Sequence, residues 1–153
     1  MGKVEKKMII HEFYSDIYPI QFWVLINPSR EQIDNTFEPK DENTTNSILD
    51  DGWVACTSVM NVKKDTRKYG VYVAILRPDK MTVGALAHEA CHAVDRIYSH
   101  IGADCVDIGG EPHAYFVEWI VRCIDEAIQD NKKENKMNKL KCGGGKTKPP
   151  KKK

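Results

Sequence analysis

Residues 82 to 102 read TVGALAHEACHAVDRIYSHIG, and this stretch governs how the rest of the chain is read. Its apolar side chains recur at helical spacing. With His88 at 0° on a helical wheel, Val83, Leu86, Ala87, Ala90, Val94, Ile97, Tyr98 and Ile101 gather between roughly 160° and 280°. Thr82 is a suitable N-cap and Gly102 a suitable stop. His88 and His92 fall on the less apolar face, one turn apart and about 40° apart around the axis, so two imidazoles can address one ion. Glu89 flanks the pair, where a carboxylate can take a proton from an activated water. The competing reading is two solvated histidines and a glutamate on a polar surface helix. Helical periodicity, both caps and an acidic residue downstream weigh against it.

A zinc site that does chemistry takes three protein ligands and keeps one position open. Glu111 is the best third candidate, nineteen residues beyond His92 in Glu111-Pro112-His113-Ala114-Tyr115. That separation lets the first helix end, a loop turn and a second helix return alongside. Pro112 suits the first turn of that helix, and it is expected to push Glu111 away from helical backbone angles. The second helix is predicted to run to about Asp130. Its inward face holds Phe116, Val117, Ile120, Ile124, Ala127 and Ile128. A second stripe, Glu111, Tyr115, Glu118 and Arg122, is expected near the histidines. Asp95, about 20° from His88 on the wheel, is an alternative ligand or a partner for a histidine's free N–H. Asp104 and Asp107, in the connecting loop, are further alternatives. His113 reads as a packed or capping residue. Tyr115 or His100 is the candidate donor to an oxyanion.

The motif His88-Glu89-x-x-His92, followed by a glutamate opening a second helix, resembles the gluzincin class of zinc metallopeptidases. The short form, with Glu111-Pro112-x-Ala114-Tyr115, is similar to small metallopeptidase-like proteins often encoded by phages and prophages. The resemblance covers about residues 70 to 128. It implies Zn2+ held by His88, His92 and Glu111, with Glu89 as general base. It also implies a peptide or protein substrate pairing with the strand nearest the cleft. Larger gluzincins carry an acidic residue four positions after the ligand glutamate, where this chain has Tyr115. Two histidines and a carboxylate favour zinc over magnesium or calcium. Two other functions stay open: a non-catalytic, metal-stapled or metal-free accessory protein working through protein contacts, and zinc hydrolysis of a non-peptide amide.

The N-terminal half reads as a sheet. Tyr18 to Ile26 is one strand, Gly52 to Asn61 a second and Tyr69 to Leu76 a third, the last two forming a hairpin with a charged tip at Lys63 to Lys68. Between the first two, Ser29 to Phe37 holds a helical turn and Glu38 to Thr45 a flexible loop. Gly70 to Leu76 is either an edge strand that a peptide can extend or an internal strand paired on both sides. The expected fold is α+β: a small antiparallel or mixed sheet packed with two main helices, the first carrying the motif and the second following Glu111.

The chain has 153 residues, 41% of them hydrophobic, which suits one domain over residues 1 to 130. Residues 131 to 153 are rich in lysine, asparagine and glycine and are read as a largely disordered tail, past about Leu140 above all. That tail is either a solubilising segment or a weak contact for nucleic acid or an acidic partner. A net charge of +1 gives no global case for nucleic-acid binding. Five cysteines form no CxxC pair. With no signal peptide, they are expected reduced, in a cytoplasmic setting, or the host cytoplasm for a phage-encoded chain. Cys91 is expected at the edge of the core. No apolar run is long enough to span a membrane.

Overall fold

The computed structural model describes residues 7–45, 52–103 and 110–142, with the side chains of 141 and 142 left out. The chain has the expected α+β fold. Its strands are β1 (Ile9–Tyr14), β2 (Gln21–Ile26), β3 (Phe37–Pro39), β4 (Ala55–Thr57), β5 (Asn61–Lys63) and β6 (Tyr69–Ile75). Its helices are α1 (Arg30–Thr36), α2 (Val83–Ile101) and α3 (Glu111–Cys142). The mixed sheet has the order β1-β2-β6-β5-β3, and β4 also pairs with β6.

β2 and β6 form the parallel centre of the sheet, in the register Gln21↔Gly70 to Ile26↔Ile75. All six residues of β2 are buried, as a run of apolar and β-branched residues covered on both faces requires. Gly70 is needed at the start of β6. A Cβ there would lie 1.8 Å from the carbonyl oxygen of Gln21, so only hydrogen fits between the two strands.

On one face of the sheet, α2 and α3 bury Leu86, Ala90, Val94, Ile97, Phe116, Ile120 and Ile124 against Phe22, Val24, Val71 and Val73. Each of the larger side chains contributes roughly 1.5–3 kcal/mol by leaving water. Tyr98 and Phe116 stack with ring centroids 5.7 Å apart, locking the two helices together. On the opposite face, Ile33 of α1 joins Trp23, Leu25, Phe37, Cys56 and Tyr72 in a smaller cluster. α1 is fixed by a capping box in which the Ser29 hydroxyl accepts from Gln32 N–H and the Gln32 side chain accepts from Ser29 N–H.

Several expectations change. Of the strand expected from Gly52 to Asn61, Ala55–Thr57 forms as β4; β5 starts only at Asn61 and runs into the expected charged tip, and both pair antiparallel with β6. Between them the Tyr72 N–H donates to the Ser58 hydroxyl at 2.9 Å, a side chain standing in for a ladder carbonyl. The segment read as a flexible loop from Glu38 to Thr45 begins with β3, which pairs with β5 in the register Phe37↔Lys63, Glu38↔Val62 and Pro39↔Asn61. β1, outside the sequence-based assignment, pairs antiparallel with β2. β6 is internal, flanked by β2 on one side and by β4 and β5 on the other. It therefore offers no edge to a peptide.

α3 runs twelve residues beyond Asp130, to Cys142. Lysine, glutamate, methionine and leucine are good helix formers, and side-chain pairs Lys133–Asp130 and Asn135–Asn131 add support one turn apart. The rest of the lysine-rich tail lies outside the described residues. Among the described residues, no helix is long and apolar enough to cross a membrane.

Candidate metal and hydrolytic site

α2 is held at both ends as its sequence implies. The Thr82 hydroxyl accepts from Ala85 N–H at 3.1 Å, and Gly102 adopts the left-handed conformation at φ 74°. Loss of such an N-cap costs about 1 kcal/mol. Between these caps the helix is regular, so His88 and His92 stand one turn apart. Their Nε2 atoms are 3.1 Å apart, with rings at 89° to each other. Both histidines are exposed.

The separation can be tested against a metal. Two imidazole nitrogens about 2.05 Å from a shared point, the usual zinc distance, and 3.1 Å from each other subtend roughly 100° at that point. This is close to a tetrahedral angle, so the pair fits zinc as two of its ligands. Among the described residues, however, no group of three or more His, Cys, Asp or Glu comes together to hold an ion. Glu111 is exposed at the first position of α3, inside the helix rather than ahead of it. Asp95 is exposed on α2. Asp104 and Asp107 lie outside the described residues.

Glu89 is buried, only 8% exposed. Its carboxylate accepts from the Thr57 hydroxyl at 2.6 Å, and the same oxygen of Thr57 lies 3.1 Å from the Glu89 carbonyl oxygen. Thr57 sits on β4, thirty-two residues away in sequence. It is a residue of the candidate site that sequence reading missed, because nothing local signals the contact. Only the register of the β4–β6 pairing brings it under the motif helix.

Glu89 and the histidines line an open groove of about 670 Å³. One wall is Trp53 to Thr57, running into β4; the other is the face of α2 carrying Gly84, Ala85, His88, Glu89, His92 and Arg96. β4 is thus the strand beside the site, in the place the sequence reading gave to β6. Neither Glu111 nor Tyr115 is among the residues lining the groove. Tyr115 is 63% exposed. The rest of its stripe is a surface ion pair, Glu118 with Arg122 at 3.7 Å.

The remaining histidines and thiols have other surroundings. His100 stands 3.3 Å from Lys40 Nζ and packs edge-on to Tyr69. Its partial burial, and then the Lys40 charge, hold its pKa below the ordinary histidine value. His113 packs edge-on against Tyr98, as a core-facing residue should. Cys91, inside the motif, is exposed rather than tucked into the core edge. Cys56 is buried, and burial together with the nearby Glu89 charge pushes its thiol up to about 11. A thiol so perturbed stays protonated and is no nucleophile.

Comparison with family models, curated proteins and solved structures finds no match to this chain. Its own geometry therefore carries the functional argument.

Proposed function

We propose that the chain is a zinc-dependent hydrolase, specifically a metallopeptidase, with Glu89 as general base. The observation that carries this reading is the pairing of two convergent imidazoles, 3.1 Å apart, with a carboxylate held at 2.6 Å by a threonine in the facing wall of the groove. A solvated surface helix has no reason to bury the glutamate beside its two exposed histidines and tether it to a strand.

In this proposal His88 and His92 hold the ion, and Glu111 is the third donor. The motif spacing supports Glu111; α3 as packed keeps it out of the groove, so its first turn must move to deliver the carboxylate. When bound, zinc supplies a Lewis acid and acidifies a water to a pKa of about 7. Glu89 accepts the proton of the attacking water at its carboxylate and delivers it to the leaving amine. Thr57 keeps that carboxylate oriented. Tyr115, one turn along the same helix as Glu111, is the proposed donor to the oxyanion. The substrate lies extended in the groove beside β4. A site this open suits a flexible or unfolded segment. Free Cys56 and Cys123, both buried, are compatible with the proposed cytoplasmic location, the host's in the case of a phage-encoded chain.

The test is metal content by mass spectrometry on the purified full chain, His92→Ala and Glu111→Ala. One zinc per chain, lost in both variants, is the expected result. Glu89→Gln is expected to retain zinc and abolish peptide hydrolysis. No zinc in the parent after reconstitution, or parent-like hydrolysis by Glu89→Gln, would refute the proposal. Zinc retained in Glu111→Ala would move the third donor to Asp95 or the α2–α3 loop. A second reading is an accessory protein working through protein contacts, metal-stapled or metal-free; the lack of a three-donor group among the described residues favours its metal-free form. Zinc binding without turnover would select it.

A further inference from the structure

Among the described residues, Arg96 is the single cation lining the groove. On the wheel it lies at about 80°, between His92 at about 40° and Glu89 at about 100°, so it belongs to the middle of the groove face. It stands one turn beyond His92, about 6 Å along the helix axis. Among the described residues the one carboxylate lining the groove, Glu89, is engaged by Thr57. Among the described residues no ion pair joins Arg96 to an acidic side chain. The guanidinium is exposed and always charged, and its planar fork matches a carboxylate in two parallel hydrogen bonds.

We propose that Arg96 is a specificity residue that binds a carboxylate of an extended peptide, about two residues from the scissile bond. The distance follows from the helix. An axial offset of about 6 Å from the second histidine corresponds to roughly two residues of extended chain at about 3.3 Å each. The walls of the groove around it, Trp53, Val54 and Ala55, are apolar. They supply contact without charge, so the choice between peptides falls to the arginine. The carboxylate can be an acidic side chain or the free end of the peptide, since both present the same two oxygens. This inference rests on the hydrolase reading for the position of the scissile bond, but its charge argument stands on the groove alone.

The experiment uses the full-length Glu89→Gln chain, which holds peptide without turning it over, with and without zinc. Three fluorescent peptides of one apolar sequence are compared by anisotropy. One carries an internal aspartate and an amidated end, one a free terminal carboxylate, and one neither. Binding at least tenfold tighter for one or both carboxylate peptides is expected, and which of the two identifies the source. Arg96→Gln should abolish the preference while leaving circular dichroism and zinc content unchanged. Arg96→Lys should restore it only in part, because a point charge lacks the fork. Equal binding of all three peptides, no binding of any, or a preference that survives Arg96→Gln overturns the inference. In the Glu89-intact chain, peptide hydrolysis with no dependence on Arg96 refutes this inference alone. A carboxylate preference in a chain that neither holds zinc nor cleaves peptide refutes the hydrolase reading alone and leaves a carboxylate-binding groove.

Discussion

Thr57→Val isolates the contact that distinguishes Glu89 from a surface glutamate. The substitution keeps the branched shape and removes the hydroxyl that donates to the carboxylate at 2.6 Å. A hydrogen bond to a charged group contributes about 1.5–3 kcal/mol, and one between neutral groups about 1. Glu89 is 8% exposed, so water replaces the lost donor poorly, although the groove is open on one side. The expected cost is therefore about 2 kcal/mol. In a Glu89→Gln background the hydroxyl faces a neutral amide, and the same substitution should cost about 1 kcal/mol. The coupling, about 1 kcal/mol, measures the charge-assisted part. Urea unfolding of chelator-treated protein reads both, since bound metal would add its own stabilisation. With a slope near 2 kcal/mol/M, the single substitution should lower the midpoint by about 1 M. A coupling below about 0.3 kcal/mol, within the usual additivity error, would refute the claim that Thr57 holds a charged Glu89.

Two further outcomes follow from the fold. Gly70→Ala places a Cβ 1.8 Å from the Gln21 carbonyl oxygen and 3.0 Å from the Trp23 ring; it should part β2 from β6 and cost more than about 3 kcal/mol. A thermal midpoint within a few degrees of the parent would contradict that register. For the buried thiols, raised folded-state values mean that the unfolded chain loses its protons first as pH rises. Stability is then fully present below the ordinary thiol value of 9.0 and is lost as pH climbs toward about 11 for Cys56 and about 12 for Cys123. Native protein at pH 8 should react with a thiol reagent at Cys91, while Cys56 and Cys123 react only in denaturant, as read by peptide mass spectrometry. Native labelling of Cys56 at the rate of Cys91 would overturn this.

What was legible in the sequence was whatever local geometry determines. The motif helix, its Thr82 and Gly102 caps, the inward faces of both helices and the hairpin between residues near 57 and 73 all follow from spacing and turn chemistry. The relation of His88 to His92 is likewise internal to one helix. What escaped depends on partners far along the chain. β3 is three residues long and exists because β5 lies beside it. β1 escapes the sequence although IIHEFY is a plausible strand, because its apolar residues do not alternate with polar ones and its pairing to β2 decides it. α3 outruns the expected end at Asp130 because a lysine-rich composition, which points to disorder, also favours helix. Thr57 and Arg96 differ in this respect. Thr57 had no local signal, whereas Arg96 repeats the spacing of the two histidines one turn on.

The same division explains why the third donor is the weakest part of the site. His88 and His92 are positioned by one capped helix and need no further folding event. Glu111 depends on where α3 starts, and α3 is already fixed by contacts on the other side of α2. His113 packs edge-on to Tyr98, and Phe116 stacks on it. Tyr98 lies six residues, about 9 Å along the axis, past His92 and near 280° on the wheel, away from the histidine face. For Glu111 to reach the ion, the first turn of α3 must shift or unwind around the end of α2. Any such rearrangement is subtracted from the metal affinity, as for any ligand whose binding state is not the resting one. In the proposed hydrolase, His88 and His92 would then form a two-histidine half-site, completed only when the start of α3 moves. In that case both variants should lose zinc at one equivalent, and a titration with excess zinc should show Glu111→Ala weakening binding less than His92→Ala does.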